Sequence, residues 1–145
     1  MQMKVKKLRE NAVLPECATK GSAGMDIYAA TDEKIILKPG ERVLIPSGFA
    51  AEIPEGTAGF IFTRSGLGIK HGIHVTNGVG VIDSDYRGEI HVGLHNLSSE
   101  NYEILPGERI AQLIIMPYFA VDVIEAEELS KTERDKGGFG STGKK

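Results

Sequence analysis

The chain has 145 residues, of which 41% are hydrophobic and 26% charged, a composition that fills one compact core and excludes a division into several large domains. A formal net charge of −3 excludes the basic excess of a protein that coats nucleic acid, so an anionic partner has to be small and met by a few converging arginines. Cys17 is alone, which excludes an internal disulfide and a cysteine-based metal site; it is expected as a structural thiol in or near the core.

Met1-Gln2-Met3-Lys4 opens without the apolar stretch of a signal peptide. No run of about 18 apolar residues suggests a membrane span, and the expected location is the cytoplasm. Short apolar runs closed by turn residues then follow one another. They are Lys34–Leu37 before Pro39-Gly40, Arg42–Ile45 before Pro46-Ser47-Gly48, Phe49–Ile53 before Pro54-Glu55-Gly56, and Gly59–Thr63. Leu67–His71 has room for at most one short helical turn, because flanking glycines discourage anything longer. Further strands are expected at Ile73–Val75, Val79–Ile82, Glu89–Leu94, Ile110–Met116 and Val121–Ala126, with Glu125–Arg134 a loop or short helix. Frequent short strands punctuated by Gly and Pro predict an all-β fold, a sandwich or barrel. Pro-Gly-Glu-Arg occurs at 39–42 and again at 106–109, each time entering a strand; without a fixed repeat period, this reads as one turn solution used twice. Gly137 onward holds four glycines and one aromatic, too little to pack, and is expected as a flexible arm that a ligand could order.

Several segments carry chemistry. Arg64-Ser65-Gly66 combines a planar guanidinium fork for phosphate oxygens, a hydroxyl donor and a glycine that lets backbone approach, although the same tripeptide is also a common turn. In Gly80-Val81-Ile82-Asp83-Ser84-Asp85-Tyr86-Arg87-Gly88, a carboxylate at a rigid strand end can activate water as a general base. Asp83 is the candidate, and Asp85 reads as solvated turn chemistry. Strand alternation puts Arg109 and Gln112 on opposite faces, so one of them points to a ligand and the other elsewhere; the arginine is equally an ion-pair or intersubunit partner. Gly138 to Lys144 fits most of a P-loop, but no strand precedes it and no helix follows, so a P-loop is rejected. His71, His74, His91 and His95 offer no third ligand at a sensible spacing for zinc.

Taken in order, five segments resemble the motifs of the trimeric dUTPase family: Ala23–Ala29, Arg64–Gly68, Gly80–Gly88, Gly107–Leu113 and Arg134–Gly143. One departure is Asp135, where the family often has glycine. The resemblance implies a jelly-roll-like β fold, with a domain over 1–133 and an arm over 134–145 that closes an active site. It implies a homotrimer with shared sites, dUTP as substrate and Mg²⁺ as cofactor, and neither nucleic acid nor membrane as partner. Asp83 would activate water for attack on the α-phosphorus, with pyrophosphate leaving. Such an activity limits uracil in DNA and supplies dUMP for thymidylate synthesis. Tyr86 would lie against the deoxyribose and exclude a 2′-hydroxyl. Uracil would be read by Asn77 and main-chain groups along Gly80, Val81 and Ile82, returning through His91. Arg64, Ser65, Gly66 and Gln112 would hold phosphates, with Arg134, Gly140, Ser141 and Thr142 arriving from the arm and Phe139 lying over the base. Asp26 would stand near water on the metal rather than bind it directly. Two alternatives share this fold: a dCTP deaminase, which needs a glutamate placed to move protons at the base, and a regulatory nucleotide-binding protein.

Overall fold

The computed structural model describes residues 1–138. Within them the order is β1 (Lys4–Lys7), β2 (Met25–Tyr28), β3 (Ile35–Leu37), β4 (Arg42–Pro46), β5 (Phe49–Glu52), β6 (Thr57–Phe62), α1 (Ser65–His71), β7 (Ile73–Val75), β8 (Gly80–Ile82), β9 (His91–Asn96), β10 (Tyr102–Ile104) and β11 (Arg109–Pro117). A four-stranded sheet runs β2-β11-β6-β8 and a three-stranded sheet runs β4-β9-β7; β1 pairs with β5 and β10 with β3. Every one of these pairings is antiparallel, as short strands joined by tight turns require. The all-β, jelly-roll-like expectation holds.

Alternation decides what these strands bury. In β9, Val92, Leu94 and Asn96 point inward while His91, Gly93 and His95 do not. One apolar cluster joins Ile27, Ile61, Ile110 and Leu113 of the larger sheet to Ile45, Ile73, Val92 and Leu94 of the smaller, with Phe49 and Leu37 from the paired ribbons. Burying each such side chain stabilises the fold by about 1.5–3 kcal/mol. Asn96 is the polar exception, fully buried yet satisfied: its Nδ2 donates to the Leu37 and Glu100 carbonyls at 2.9 and 2.7 Å, and its Oδ1 accepts from the Ser98 N–H.

The repeated Pro-Gly-Glu-Arg is one turn used twice. Gly40 and Gly107 take φ of 76° and 74°, the left-handed geometry a type II turn needs. Glu41 and Glu108 each accept the backbone N–H three residues earlier, from Lys38 at 3.0 Å and Leu105 at 2.9 Å.

Four expectations are corrected. The helix spans seven residues rather than one turn from Leu67, and it contains both Gly66 and Gly68; burial of Leu67 anchors it against the propensity cost of about 1 kcal/mol per glycine. β1, β2 and β10 were not anticipated; β1 reads Lys-Val-Lys-Lys, with only Val5 partly buried. Val121–Ala126 forms no strand, and Val121, Val123 and Ile124 are largely exposed. Cys17 is exposed, because it sits in the irregular segment between β1 and β2 rather than in a sheet. Among the described residues, no helix is long and apolar enough to cross a membrane.

Candidate active site

Most of the sequence-predicted residues that the structure describes gather into two clefts. The first lies where β6 gives way to α1. Arg64 occupies the N-cap position, and Ser65 and Gly66 form the first helical turn, where backbone N–H groups lack partners within the helix. Asp26 comes from the adjoining β2 and Gln112 from β11, directly opposite each other in the pairing. Arg64 Nε donates to Asp26 Oδ1 at 2.8 Å, and Arg109 Nη1 donates to Asp26 Oδ2 at 3.1 Å. Arg64 Nη1 also donates to the Arg109 carbonyl at 3.1 Å, and Gln112 Nε2 to the Thr63 carbonyl at 3.1 Å. Together with Ser65 and Gly66, these side chains line a polar cleft of about 350 Å³. Two guanidinium groups share one carboxylate, so the cleft keeps a net positive charge, and Arg64 Nη2 has no acceptor among the described residues. Asp26 thus bridges the two arginines.

Strict alternation would place Arg109 and Gln112 on opposite faces, yet both line this cleft. The cause is a β-bulge: Arg109 pairs with Tyr28 but Ala111 with Ile27, so two steps along β11 match one along β2. The extra residue resets the alternation, and Ile110 and Ala111 are consequently buried in succession.

The second cleft lies between β8 and the β4-β9-β7 sheet. Its cavity of about 500 Å³ is lined by Asn77, Gly80, Val81, Ile82 and His91, with Thr76, Ile61, Val75 and Val92 among the walls. Apolar walls with a few amide and hydroxyl groups suit a planar heterocycle. Arg42, the arginine of the first Pro-Gly-Glu-Arg turn, also reaches this cavity, and sequence reasoning had not singled it out. A smaller recess of about 230 Å³ adjoins it, sharing Val81, Ile82 and His91 and adding Asp83, Tyr86 and Glu89. Asp83 follows the last residue of β8 and is exposed, as is Asp85. The Tyr86 hydroxyl donates to the Glu89 carbonyl at 3.0 Å, and the His91 Nδ1 lies 3.0 Å from the same oxygen. A Cβ on Gly88 would fall 2.3 Å from the Tyr86 hydroxyl, so only glycine lets the ring fold back across the chain here.

The two clefts share no lining residue. Arg134 lines neither; its Nε donates to the Gly137 carbonyl at 2.9 Å in a local turn. In that turn Asp135 takes φ of 41°, the one positive-φ non-glycine residue among those described, which gives a physical reason for glycine at this position. Phe139, Gly140, Ser141 and Thr142 lie outside the described residues. Among the described residues, no three His, Cys, Asp or Glu side chains converge as a metal site.

A heterocycle-sized cavity and a separate arginine-lined cleft on an antiparallel β fold define a nucleotide-binding class of protein. The family model described as dUTPase matches residues 10–143, and the chain belongs to that family. It is 52% identical over 145 residues to a deoxyuridine 5'-triphosphate nucleotidohydrolase of Hydrogenobaculum sp. (strain Y04AAS1), covering 100% of both chains. It is 54% identical over 144 residues to the protein of the same description from Nautilia profundicola, covering 99% of this chain and 100% of that one. Among solved structures it resembles the Staphylococcus bacteriophage 80alpha dUTPase with dUpNHpp, at TM-score 0.89 and 32% identity over 98% of each chain. It also resembles a mutant dUTPase from phage phi11 of S. aureus described with a structural Mg(II) ion, at TM-score 0.80 and 29% identity over 88% of this chain and 98% of that one.

Proposed function

We propose that this chain hydrolyses dUTP to dUMP and pyrophosphate. The observation that carries the reading is the placement of Asp83. It is an exposed carboxylate at the end of β8, on the rim of the heterocycle cavity and in one recess with Tyr86. Asp83 takes a proton from water as its oxygen attacks the α-phosphorus. The bond to the bridging oxygen breaks, and pyrophosphate leaves with that oxygen and the electron pair. Asn77 and the backbone of Gly80–Ile82 read uracil with His91 beside them, and Tyr86 closes the space a 2′-hydroxyl would need. Arg64, Ser65, Gly66 and Gln112 hold the phosphates. The products place the enzyme among the DNA precursors of the cytoplasm, where it lowers dUTP and supplies dUMP for thymidylate synthesis.

The donor set fits Mg²⁺ carried in on the triphosphate. Both Asp26 oxygens are taken by arginines, and phosphate and water oxygens suffice for a cation that keeps its waters readily. When bound, Mg²⁺ neutralises charge on the phosphate oxygens. Asp26 would keep Arg64 and Arg109 aimed at the phosphates that carry the ion.

The separation of the clefts supports a homotrimer in which one subunit's nucleoside cavity faces another's arginine cleft. So does the segment after β11: Phe119, Val121, Val123 and Ile124 are 95%, 75%, 92% and 83% exposed, a strand-like apolar run with no partner in its own chain. The arm from residue 134 brings Arg134, Phe139, Gly140, Ser141 and Thr142 over the bound nucleotide. Deletion of residues 137–145 is expected to leave a trimer in sedimentation while kcat falls by about 10²-fold or more, because a closing lid excludes water and completes the site. Full activity in the truncated chain would remove the lid from the mechanism. The attack itself is tested by hydrolysis in water enriched in heavy oxygen. Label is expected in dUMP, and label in pyrophosphate would refute attack at the α-phosphorus.

A further inference from the structure

We infer that Arg9 is a positioning residue for sugar discrimination: its ion pair with Glu89 fixes the backbone carbonyl from which both Tyr86 and His91 are held. The inference rests on the reading that Tyr86 lies against the deoxyribose.

β1 supplies Arg9. Its pairing with β5 runs to Lys7 opposite Phe49, and the Leu8 N–H then donates to the Gly48 carbonyl at 2.8 Å. That last bond brings the next residue to the rim of the nucleoside recess. There the Arg9 fork meets the Glu89 carboxylate bidentately, Nε to Oε1 at 2.9 Å and Nη2 to Oε2 at 3.2 Å. The Gly48 N–H adds a third bond to Oε1 at 2.9 Å. Gly48 has φ of 77°, and a Cβ there would come 2.6 Å from Ala12 Cβ and 2.8 Å from Ala30 Cβ, so the donor sits in a turn that only glycine makes.

The backbone at Ile90, next to Glu89, is held as well. The Ser47 N–H donates to the Ile90 carbonyl at 3.1 Å, and the Ile90 N–H to the Phe49 carbonyl at 2.9 Å. The Ile90 N–H shares a planar peptide with the Glu89 carbonyl, so its bond to Phe49 and the clamp on the Glu89 side chain together aim that carbonyl toward the Tyr86 hydroxyl and the His91 ring. The bond to Arg9, opposed by burial and aided by the Gly48 N–H, also holds the Glu89 carboxyl below the usual glutamate range. The charge therefore persists at neutral pH.

Tyr86 needs such a hold because the residue stands 44% exposed. Excluding one hydroxyl oxygen depends on ring placement at a fraction of an ångström, whereas Asp83 acts from the end of β8 on its own backbone. A partly exposed ion pair adds little to folding, so loss of Arg9 should change specificity before stability.

The test measures kcat and KM for dUTP and UTP in the wild type, Arg9→Ala, Arg9→Lys, Glu89→Gln, Tyr86→Phe and the Arg9→Ala/Tyr86→Phe double variant. The dUTP-to-UTP ratio of kcat/KM is expected to fall about tenfold in Arg9→Ala and Glu89→Gln, with kcat for dUTP within about twofold of wild type in Arg9→Ala. Arg9→Lys recovers part of the ratio, since it keeps the charge without the fork. In the Tyr86→Phe background, Arg9→Ala changes the ratio by less than about twofold, because the hydroxyl through which it acts is gone. An unchanged ratio in Arg9→Ala, or equal losses in both backgrounds, overturns the inference. So does a fall in Tm with the ratio intact in Arg9→Lys and Glu89→Gln. A wild type that does not distinguish dUTP from UTP instead refutes the reading of Tyr86 on which the inference stands.

Discussion

Asp83→Asn is expected to lower kcat for dUTP by about 10³-fold, within the span ascribed to a positioned general base. The substitution keeps the shape of the side chain and removes its capacity to take a proton. Asp83 is exposed, so the change leaves no buried polar group unpaired and should not disturb the fold. Affinity for dUTP is expected to stay within about threefold, because the cavity walls and the arginine cleft are untouched. The check is single-turnover hydrolysis beside equilibrium binding of dUTP on the same preparation. A kcat within tenfold of wild type would assign the base elsewhere, and a parallel loss of binding would make Asp83 a binding group.

Arg64→Ala should act on the other half of the site. Charge-assisted hydrogen bonds contribute about 1.5–3 kcal/mol each, so loss of the guanidinium is expected to weaken dUTP binding by about 10–100-fold. Binding of dUMP, which lacks the β- and γ-phosphates, should change by less than about threefold. Asp26 has a second partner in Arg109 at 3.1 Å, which should keep its carboxylate from being stranded and the fold intact in this variant. Calorimetric titration with the two nucleotides separates the effects. Equal weakening of dUMP and dUTP would mean that Arg64 supports the nucleoside cavity rather than the outer phosphates.

Much of the strand pattern was legible because local chemistry dictates it. Turn residues bracket most strands, and β7 matches its expected bounds, Ile73–Val75. Short runs such as Lys4–Lys7 and Tyr102–Ile104 were invisible for the converse reason: they earn their pairing from a partner strand, and their sequences carry no apolar alternation long enough to read. The bulge in β11 escaped alternation because it is a property of the pair with β2, and it alone brings Arg109 and Gln112 to one cleft. Arg9 was out of reach for a similar reason, being 80 residues from Glu89 along the chain. Resemblance placed Asp26 near a metal-bound water; its bond to two arginines appears only when β2, β6 and β11 lie side by side.

Pyrophosphate release from dUTP, dTTP, dCTP and UTP by the full chain with Mg²⁺ tests the proposed hydrolysis most directly. Release from dUTP alone is the expected result. Ammonia from dCTP would point to deamination, and dUTP bound without any pyrophosphate would contradict hydrolysis and leave a regulatory nucleotide-binding protein on the same fold.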